Sequence, residues 1–276
     1  MEPAKQFAIA PGMDELDRVD RDLAFHPVCN PSPGRLTPGQ VSRYNSRGFV
    51  SGIRIFSEDE IARVRAGFDE LLRGVLARGG DSYSISSAHL YHAEAYDLLT
   101  DERIVSCVRD LLGEDVIGWG SHYFCKMPHD GKRVDWHQDA TYWPLTPART
   151  VTAWLAIDGA DAENACMRFI PGSHRHGPLA FDVDDGDSGA VLNQRVAEAG
   201  RYGEPVDNVL RAGEISLHSD LLLHGSEANG SDRRRCGLTL RYCAAEVRAY
   251  LEWNRKGVIV SGRDPSGHWA NRPRPT

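Results

Sequence analysis

The chain has 276 residues, 41 % of them apolar, and a formal net charge of −7, enough for one large domain or one domain with a small helical addition. The acidic balance gives no electrostatic support for nucleic-acid binding, and no apolar run approaches the roughly 20 residues that cross a bilayer. Met1-Glu2-Pro3-Ala4-Lys5 leads into acidic residues without an apolar signal core, so a cytoplasmic location is expected.

Residues 1 to about 35 are mixed in character and contain prolines, which reads as an arm or loose cover. Thr37-Pro38-Gly39-Gln40 then starts a helix, with Thr as cap, Pro in the first turn and Gln completing a capping box. Gly48 to Phe56 alternates and predicts a strand. Ser57 and Glu60 form a second capping box, and Ile61, Val64, Phe68, Leu71, Leu72 and Val75 recur at helical spacing, which predicts an amphipathic helix over about 58–77. A third helix is expected from Thr100 to Leu112, stopped by Gly113. After that the texture changes to short alternating runs at Ser121–Met127, Val151–Ile157, Cys166–Ile170, Glu214–His218 and Arg235–Cys243, separated by Gly, Pro, Asn and Asp clusters. The pattern predicts an all-β sandwich or barrel with helices packed outside it. The stretch 181–208 shows no clear strand; its acidic start, 182–187, lacks the closing Glu of a calcium loop and reads as a solvated loop. Residues 263–276, rich in Pro and Arg, read as a loose tail or a docked irregular segment. The six cysteines form no Cys-x-x-Cys pair, so they are expected to be reduced and mostly buried, with no structural zinc.

Two segments carry chemistry. Trp136-His137-Gln138-Asp139-Ala140-Thr141-Tyr142-Trp143 contains a His-x-Asp pair, and Leu223-His224-Gly225-Ser226 is followed by the basic strand beginning Arg233-Arg234-Arg235. On a strand, residues i and i+2 face one side, so His137 and Asp139 can reach one ion while Gln138 turns away. Two imidazoles and a carboxylate on one face of an octahedral ion, with the other face open, is the donor set of a mononuclear non-haem iron(II) site. Taken alone, His-x-Asp is a common tripeptide. The aromatic bulk of Trp136, Tyr142 and Trp143 supplies the water-poor shell that such a site needs. Arg235 offers the two-pronged geometry for the far carboxylate of a chelating dicarboxylate, and Ser226 a further hydrogen bond. Of the other histidines, His218 is the one that competes with His224, because it also ends a strand-like run.

At these residues the chain resembles the phytanoyl-CoA dioxygenase (PhyH-like) family of Fe(II)/2-oxoglutarate-dependent oxygenases. The resemblance runs through Leu36–Phe56, Trp136–Trp143, Cys166–His174 and His224–Ser226 to Arg235–Tyr242. It implies a mainly β chain with flanking α-helices, a double-stranded β-helix (jelly roll, cupin-like). It also implies an N-terminal arm over 1–35, one dioxygenase domain over 36–262 (helical flank about 36–113, jelly-roll core about 114–250) and a tail over 263–276. By position, His137, Asp139 and His224 are the implied iron ligands, Arg235 and Ser226 the implied contacts to 2-oxoglutarate, and Trp154 an aromatic lining its pocket. Gly237 departs from relatives that place Ser or Thr two residues after the Arg, and Thr239 is the substitute at hand. Halogenating relatives replace the carboxylate ligand by Ala or Gly; Asp139 fills that place here, which points to hydroxylation.

The resemblance implies Fe(II), 2-oxoglutarate and O2 as cofactors, with decarboxylation to succinate and CO2 coupled to oxidation of an unactivated C–H bond. Lys126, Arg133, Tyr142, Arg168 and His174 lie near the motifs and are the expected contacts to a small polar or anionic substrate, an aminophosphonate being one concrete candidate. Desaturation, cyclisation and epimerisation of a natural-product intermediate use the same oxidant. A CoA thioester calls for a basic groove, and no basic cluster beyond Arg233–Arg235 is visible. A non-catalytic jelly-roll binding module would lack a ligand or the Arg, and all four are present. A monomer or homodimer is expected, with neither nucleic acid nor membrane as partner.

Overall fold

The computed structural model describes residues 11–83, 85–183 and 190–276. Helix α1 (Pro38–Arg47) begins as its capping box dictates: Thr37 Oγ1 accepts from Gln40 N at 3.2 Å and Gln40 Oε1 from Thr37 N at 2.8 Å. It ends at Gly48, in the left-handed region at φ 83°, which turns the chain into strand β1 (Phe49–Arg54). Ser57 and Glu60 repeat the box at the head of α2 (Glu58–Ala77), which buries Ile61, Phe68 and Leu72. The expected third helix forms, and a shorter one that the sequence did not disclose precedes it. Helix α3 (Ala93–Leu99) ends with Thr100 as its C-cap, and α4 (Glu102–Leu112) is started by Asp101, whose carboxylate accepts from Arg103 N at 2.9 Å. The seven residues of α3 make barely two turns, too few for a clear period.

Strands follow at β2 (Val116–Lys126), β3 (Val134–His137), β4 (Thr150–Ala156), β5 (Arg168–Phe169), β6 (Val206–Asp207), β7 (Glu214–Ser219), β8 (His224–Ser226), β9 (Arg235–Ala244) and β10 (Val258–Ser261). They form an antiparallel six-stranded sheet of order β1-β7-β4-β9-β2-β10 and a four-stranded sheet of order β3-β8-β5-β6. The large sheet is buried on both faces, and its alternation divides two kinds of residue. Cys236, Leu238, Leu240 and Tyr242 of β9 join Ile61, Phe68, Ile104 and Val108 of the helices in the main apolar core. Arg235, Gly237, Thr239 and Arg241 face the other way, as period-2 geometry requires. On that inner side Phe49, Trp154 and Ala156 of the large sheet meet Phe169 of the small one, with the Phe49 and Phe169 rings 4.7 Å apart. Two sheets closed over an inner core, with helices on the outside, make a double-stranded β-helix.

The described part of the N-terminal segment is not loose. Arg21 donates to the carbonyls of Ala140 (3.1 Å) and Trp143 (2.9 Å), Ala148 N donates to Asp22 O at 2.8 Å, and Leu16 is buried. The C-terminal segment is docked: Trp269 is buried, and Arg274 grips Asp97 through two bonds of 2.6 and 2.8 Å. Of the acidic run 182–187, residues 184–187 lie outside the described residues; Asp182–Val183 pair with Gln194–Arg195. All six cysteines are free thiols, and only Cys29 is exposed. Among the described residues no helix is long and apolar enough to cross a membrane.

Gly48 is constrained twice. Its φ suits glycine, and a Cβ there would stand 2.6 Å from the His174 ring and 2.9 Å from Leu222. Gly52 has a similar φ of 76° but open space around it. Gly48→Ala should therefore cost more than Gly52→Ala, which carries only the backbone strain of about 1–3 kcal/mol. Urea denaturation of both variants checks this; equal losses would show that His174 yields without cost.

Candidate metal centre

The centre is built where two short strands meet. Strands β3 and β8 pair antiparallel with His137 directly opposite His224, and the two imidazole centroids lie 4.1 Å apart. Asp139 arrives differently from the sequence expectation. The strand stops at His137, and Asp139 opens a short 3-10 turn, Asp139–Tyr142, so the pair does not share a strand face. The turn is fixed by Ala140 N donating to Asp220 O (2.9 Å) and Thr141 Oγ1 to Gln138 O (2.7 Å). Gln138 does turn away, bridging Leu221 O, Gly177 O and Leu179 N. One ligand atom from each of His137, Asp139 and His224 falls within 4.8 Å of the others, and all three residues are buried.

The donor chemistry fits a divalent metal. His137 Nδ1 lies 2.8 Å from Asp135 O, and His224 Nδ1 lies 2.9 Å from Leu222 O. A carbonyl only accepts, so both Nδ1 atoms carry hydrogen and both Nε2 lone pairs are left for a metal. Burial, then the neighbouring His137, pushes His224 down to about 3, which keeps it neutral near pH 7. Burial opposes ionisation of Asp139, but His137, His224 and Arg241 outweigh it and hold the carboxyl well below the usual carboxylate range. His218 stands beside this set, Nε2 4.0 Å from Asp139 Oδ2, with burial pushing it down to about 4.

A cationic station lies next to it. Arg235 is buried and donates to Ala165 O (3.1 Å) and Ser226 Oγ (3.2 Å), its guanidinium carbon 5.8 Å from the Trp154 ring centroid. Lys126, its cross-strand partner, is also buried and donates to Ser226 Oγ (2.9 Å), Ser226 O (3.3 Å) and Glu227 O. Neither has a carboxylate within ion-pair distance among the described residues, and burial followed by Arg235 pushes the Lys126 ammonium down to about 6. Trp154 explains Gly237: a Cβ there would sit 1.9 Å from the indole, so the ring occupies the place of a Ser or Thr side chain. Thr239 does not take over its bond, because its one hydroxyl hydrogen goes to His122 O at 3.1 Å.

The remaining expected substrate contacts separate. Tyr142 packs edge-on against His137 at 6.0 Å, its hydroxyl accepting from Gln194 N. Arg133 is paired with Asp135, and Arg168 with Asp207 and Glu227. His174 is fully buried, its Nε2 3.0 Å from Asn45 O and its ring edge-on to Phe25. Arg233 and Arg234 bind Asp161, Glu163, Asp158 and Asp69 and offer no basic groove. Arg241 was not singled out from the sequence as a substrate contact; it shares the inner face of β9 with Arg235, a relation that alternation alone discloses.

Residues 44–237 match the profile of phytanoyl-CoA dioxygenase (PhyH). The chain is 26 % identical to the probable alpha-ketoglutarate-dependent hypophosphite dioxygenase of Stutzerimonas stutzeri, over 81 % of this chain and 86 % of that one. It is 35 % identical to phytanoyl-CoA dioxygenase domain-containing protein 1 of Mus musculus, over 76 % and 70 %. Among solved structures it resembles the non-haem monooxygenase ThoJ in its apo form, with a TM-score of 0.72 and 27 % identity over 85 % of this chain and 87 % of that one. The chain belongs to the phytanoyl-CoA dioxygenase (PhyH) family of Fe(II)/2-oxoglutarate-dependent dioxygenases.

Proposed function

We propose that this enzyme hydroxylates an unactivated C–H bond of a small polar or anionic metabolite, an aminophosphonate being one candidate, while 2-oxoglutarate is decarboxylated to succinate and CO2. The observation that carries the reading is the juxtaposition of two preset Nε2 donors and an ionised Asp139 with a buried cation pair that has no carboxylate of its own. The name of the Stutzerimonas relative, with its small phosphorus oxyanion, supports a substrate of this size and charge.

In this reading His137, Asp139 and His224 hold iron from one face. When bound, the iron supplies the redox chemistry that couples decarboxylation of 2-oxoglutarate to C–H oxidation by dioxygen. The chain's part is to bind, orient and exclude water. Arg235 takes the far carboxylate of 2-oxoglutarate. Ser226 Oγ accepts from both Lys126 and Arg235, which fills its two lone pairs and leaves its single hydrogen to donate to that carboxylate. Lys126 is thus a positioning residue acting through Ser226, rather than the substrate contact expected from its place in the sequence. Trp154 walls the cosubstrate pocket, and Tyr142 and Trp143, both buried, help keep the centre dry.

Anaerobic titration with Fe(II) and 2-oxoglutarate should produce a visible metal-to-ligand charge-transfer band. Its absence from folded, iron-loaded protein would sink the reading. Asp139→Ala should lower iron affinity by more than the roughly 10–100-fold that changes behind the ligands cost, and abolish turnover. Unchanged activity would remove Asp139 from the ligand set.

Arg235→Ala should weaken 2-oxoglutarate by about 30-fold or more, since a buried charge partner is worth at least about 2 kcal/mol. Lys126→Met should weaken it roughly tenfold. In a Ser226→Ala background the Lys126 change should add little; an additive loss would mean that Lys126 acts independently of the hydroxyl.

A further inference from the structure

Three cations are buried among the described residues: Lys126, Arg235 and Arg241. The first two share Ser226, and the cosubstrate reading accounts for them. Arg241 is separate. It lies on the same face of β9 as Arg235 but six positions further along, roughly 20 Å at the rise of an extended strand. Its guanidinium carbon stands 5.1 Å from the Trp143 ring centroid and 6.0 Å from that of Trp119, whereas Arg235 leans over Trp154. The two guanidiniums therefore attend different aromatic walls, and one dicarboxylate chelated at the metal does not serve both.

Arg241 is 7 % exposed, and its buried Nε has no acceptor. No hydrogen bond or ion pair of its guanidinium forms among the described residues. Asp139 is the carboxylate whose field reaches it, beyond ion-pair distance and committed to the metal in this reading. His122, His218 and Lys256 are the other titratable groups that feel its charge, and none is an anion. Its stem has been given room: Gly120 is its cross-strand partner, and a Cβ there would come within 3.3 Å of Arg241 Cδ. A largely buried guanidinium with no acceptor in the protein, its Nε sealed from solvent, is costly unless a ligand supplies one. A planar fork set against an edge-to-face indole pair suits a carboxylate, phosphonate or sulfonate oxygen pair.

We propose that Arg241 is the substrate anchor: the substrate carries an oxyanion that Arg241 binds beside Trp119 and Trp143, on the side of the centre away from Arg235, which aims the remainder of the molecule at the metal. This rests on the dioxygenase reading of the same centre.

The test uses the anaerobic complex with Fe(II) and saturating 2-oxoglutarate, so that the Arg235 station is filled. Methylphosphonate, methanesulfonate and acetate are titrated in, and binding is followed by calorimetry and by perturbation of the charge-transfer band. At least one of the three should bind the wild-type complex. Arg241→Met should form the same charge-transfer complex yet bind that anion at least tenfold more weakly. Arg241→Lys, which keeps the charge and loses the fork, should fall between them and serves if the Met variant does not fold. The proposal is overturned if the wild-type complex takes none of the three anions. It is also overturned if the variants bind the anion as well as wild type, which leaves the dioxygenase reading standing. A folded Arg241→Met that cannot form the charge-transfer complex overturns it as well, by placing the guanidinium in the service of Asp139 or 2-oxoglutarate. A wild-type protein with no charge-transfer complex overturns both readings.

Discussion

The site depends on a single antiparallel register, His137 opposite His224. The strands that create it are only four and three residues long, and a slip of one residue would turn an imidazole to the other face. What pins them is the residue after the ligand. A Cβ on Gly225 would lie 2.8 Å from Val134 O and 3.3 Å from Trp136 N, so the backbone of β3 passes through space that any other residue would fill. On the far side Phe169 pairs with His224, and Ser173 Oγ accepts from Leu223 N at 2.9 Å. The next residue, Ser226, reaches Lys126 and Arg235. The tripeptide His224-Gly225-Ser226 thus supplies the proposed metal donor, the close approach that sets its register and the hydroxyl of the proposed cosubstrate station.

The large sheet converts alternation into a division of labour. On β9 the residues turned toward the helices are Cys236, Leu238, Leu240 and Tyr242, and they anchor the main core. Those turned inward are Arg235, Gly237, Thr239 and Arg241, all buried or without a side chain. Neighbouring strands repeat the split, with Ile215 and Leu217 against Ser216 and His218 on β7, and Val151, Ala153 and Leu155 against Thr152 and Trp154 on β4. The helices therefore do not line the site. They make the outer face of the sheet dry enough to hold rigid the strands whose inner faces carry polar and charged groups.

What was legible in the sequence was what is local or carries a fixed spacing. The capping boxes at Thr37 and Ser57 give both helix starts, because each needs only four consecutive residues. The His-x-Asp pair, His224 and Arg235 were visible as a pattern, and the structure gathers the first three within 4.8 Å. Most of what was not legible depended on residues distant in the chain. Gly237 looked like a lost hydrogen bond until Trp154 is found in its place. Arg133 and Arg168 looked like anion binders, but Asp135, Asp207 and Glu227 already hold them. His174 looked like part of the mouth, yet it packs under Gly48 and Phe25 as a brace for α1. For Gly237, Arg168 and His174 the decisive neighbour lies on another element, outside any short window of sequence; for Arg133 it is Asp135, only two residues along.

The buried charges also differ in kind, and that difference orders their roles. Lys126 is pushed down to about 6 and bonded to two carbonyls and a hydroxyl, so near neutral pH it can shed its charge when no anion is close. Arginine has no such outlet in the physiological range. Arg235 and Arg241 must carry their charge whether or not a ligand is present, and neither has a carboxylate in ion-pair distance among the described residues. Replacing such groups by apolar residues would commonly improve stability. Their presence at two places on one inner face therefore argues for two acceptors arriving from outside. The proposed cosubstrate, a dicarboxylate, would account for the one beside Ser226. The other, beside Trp119 and Trp143 and within the field of Asp139, is where the charge of a substrate would make good the remaining deficit.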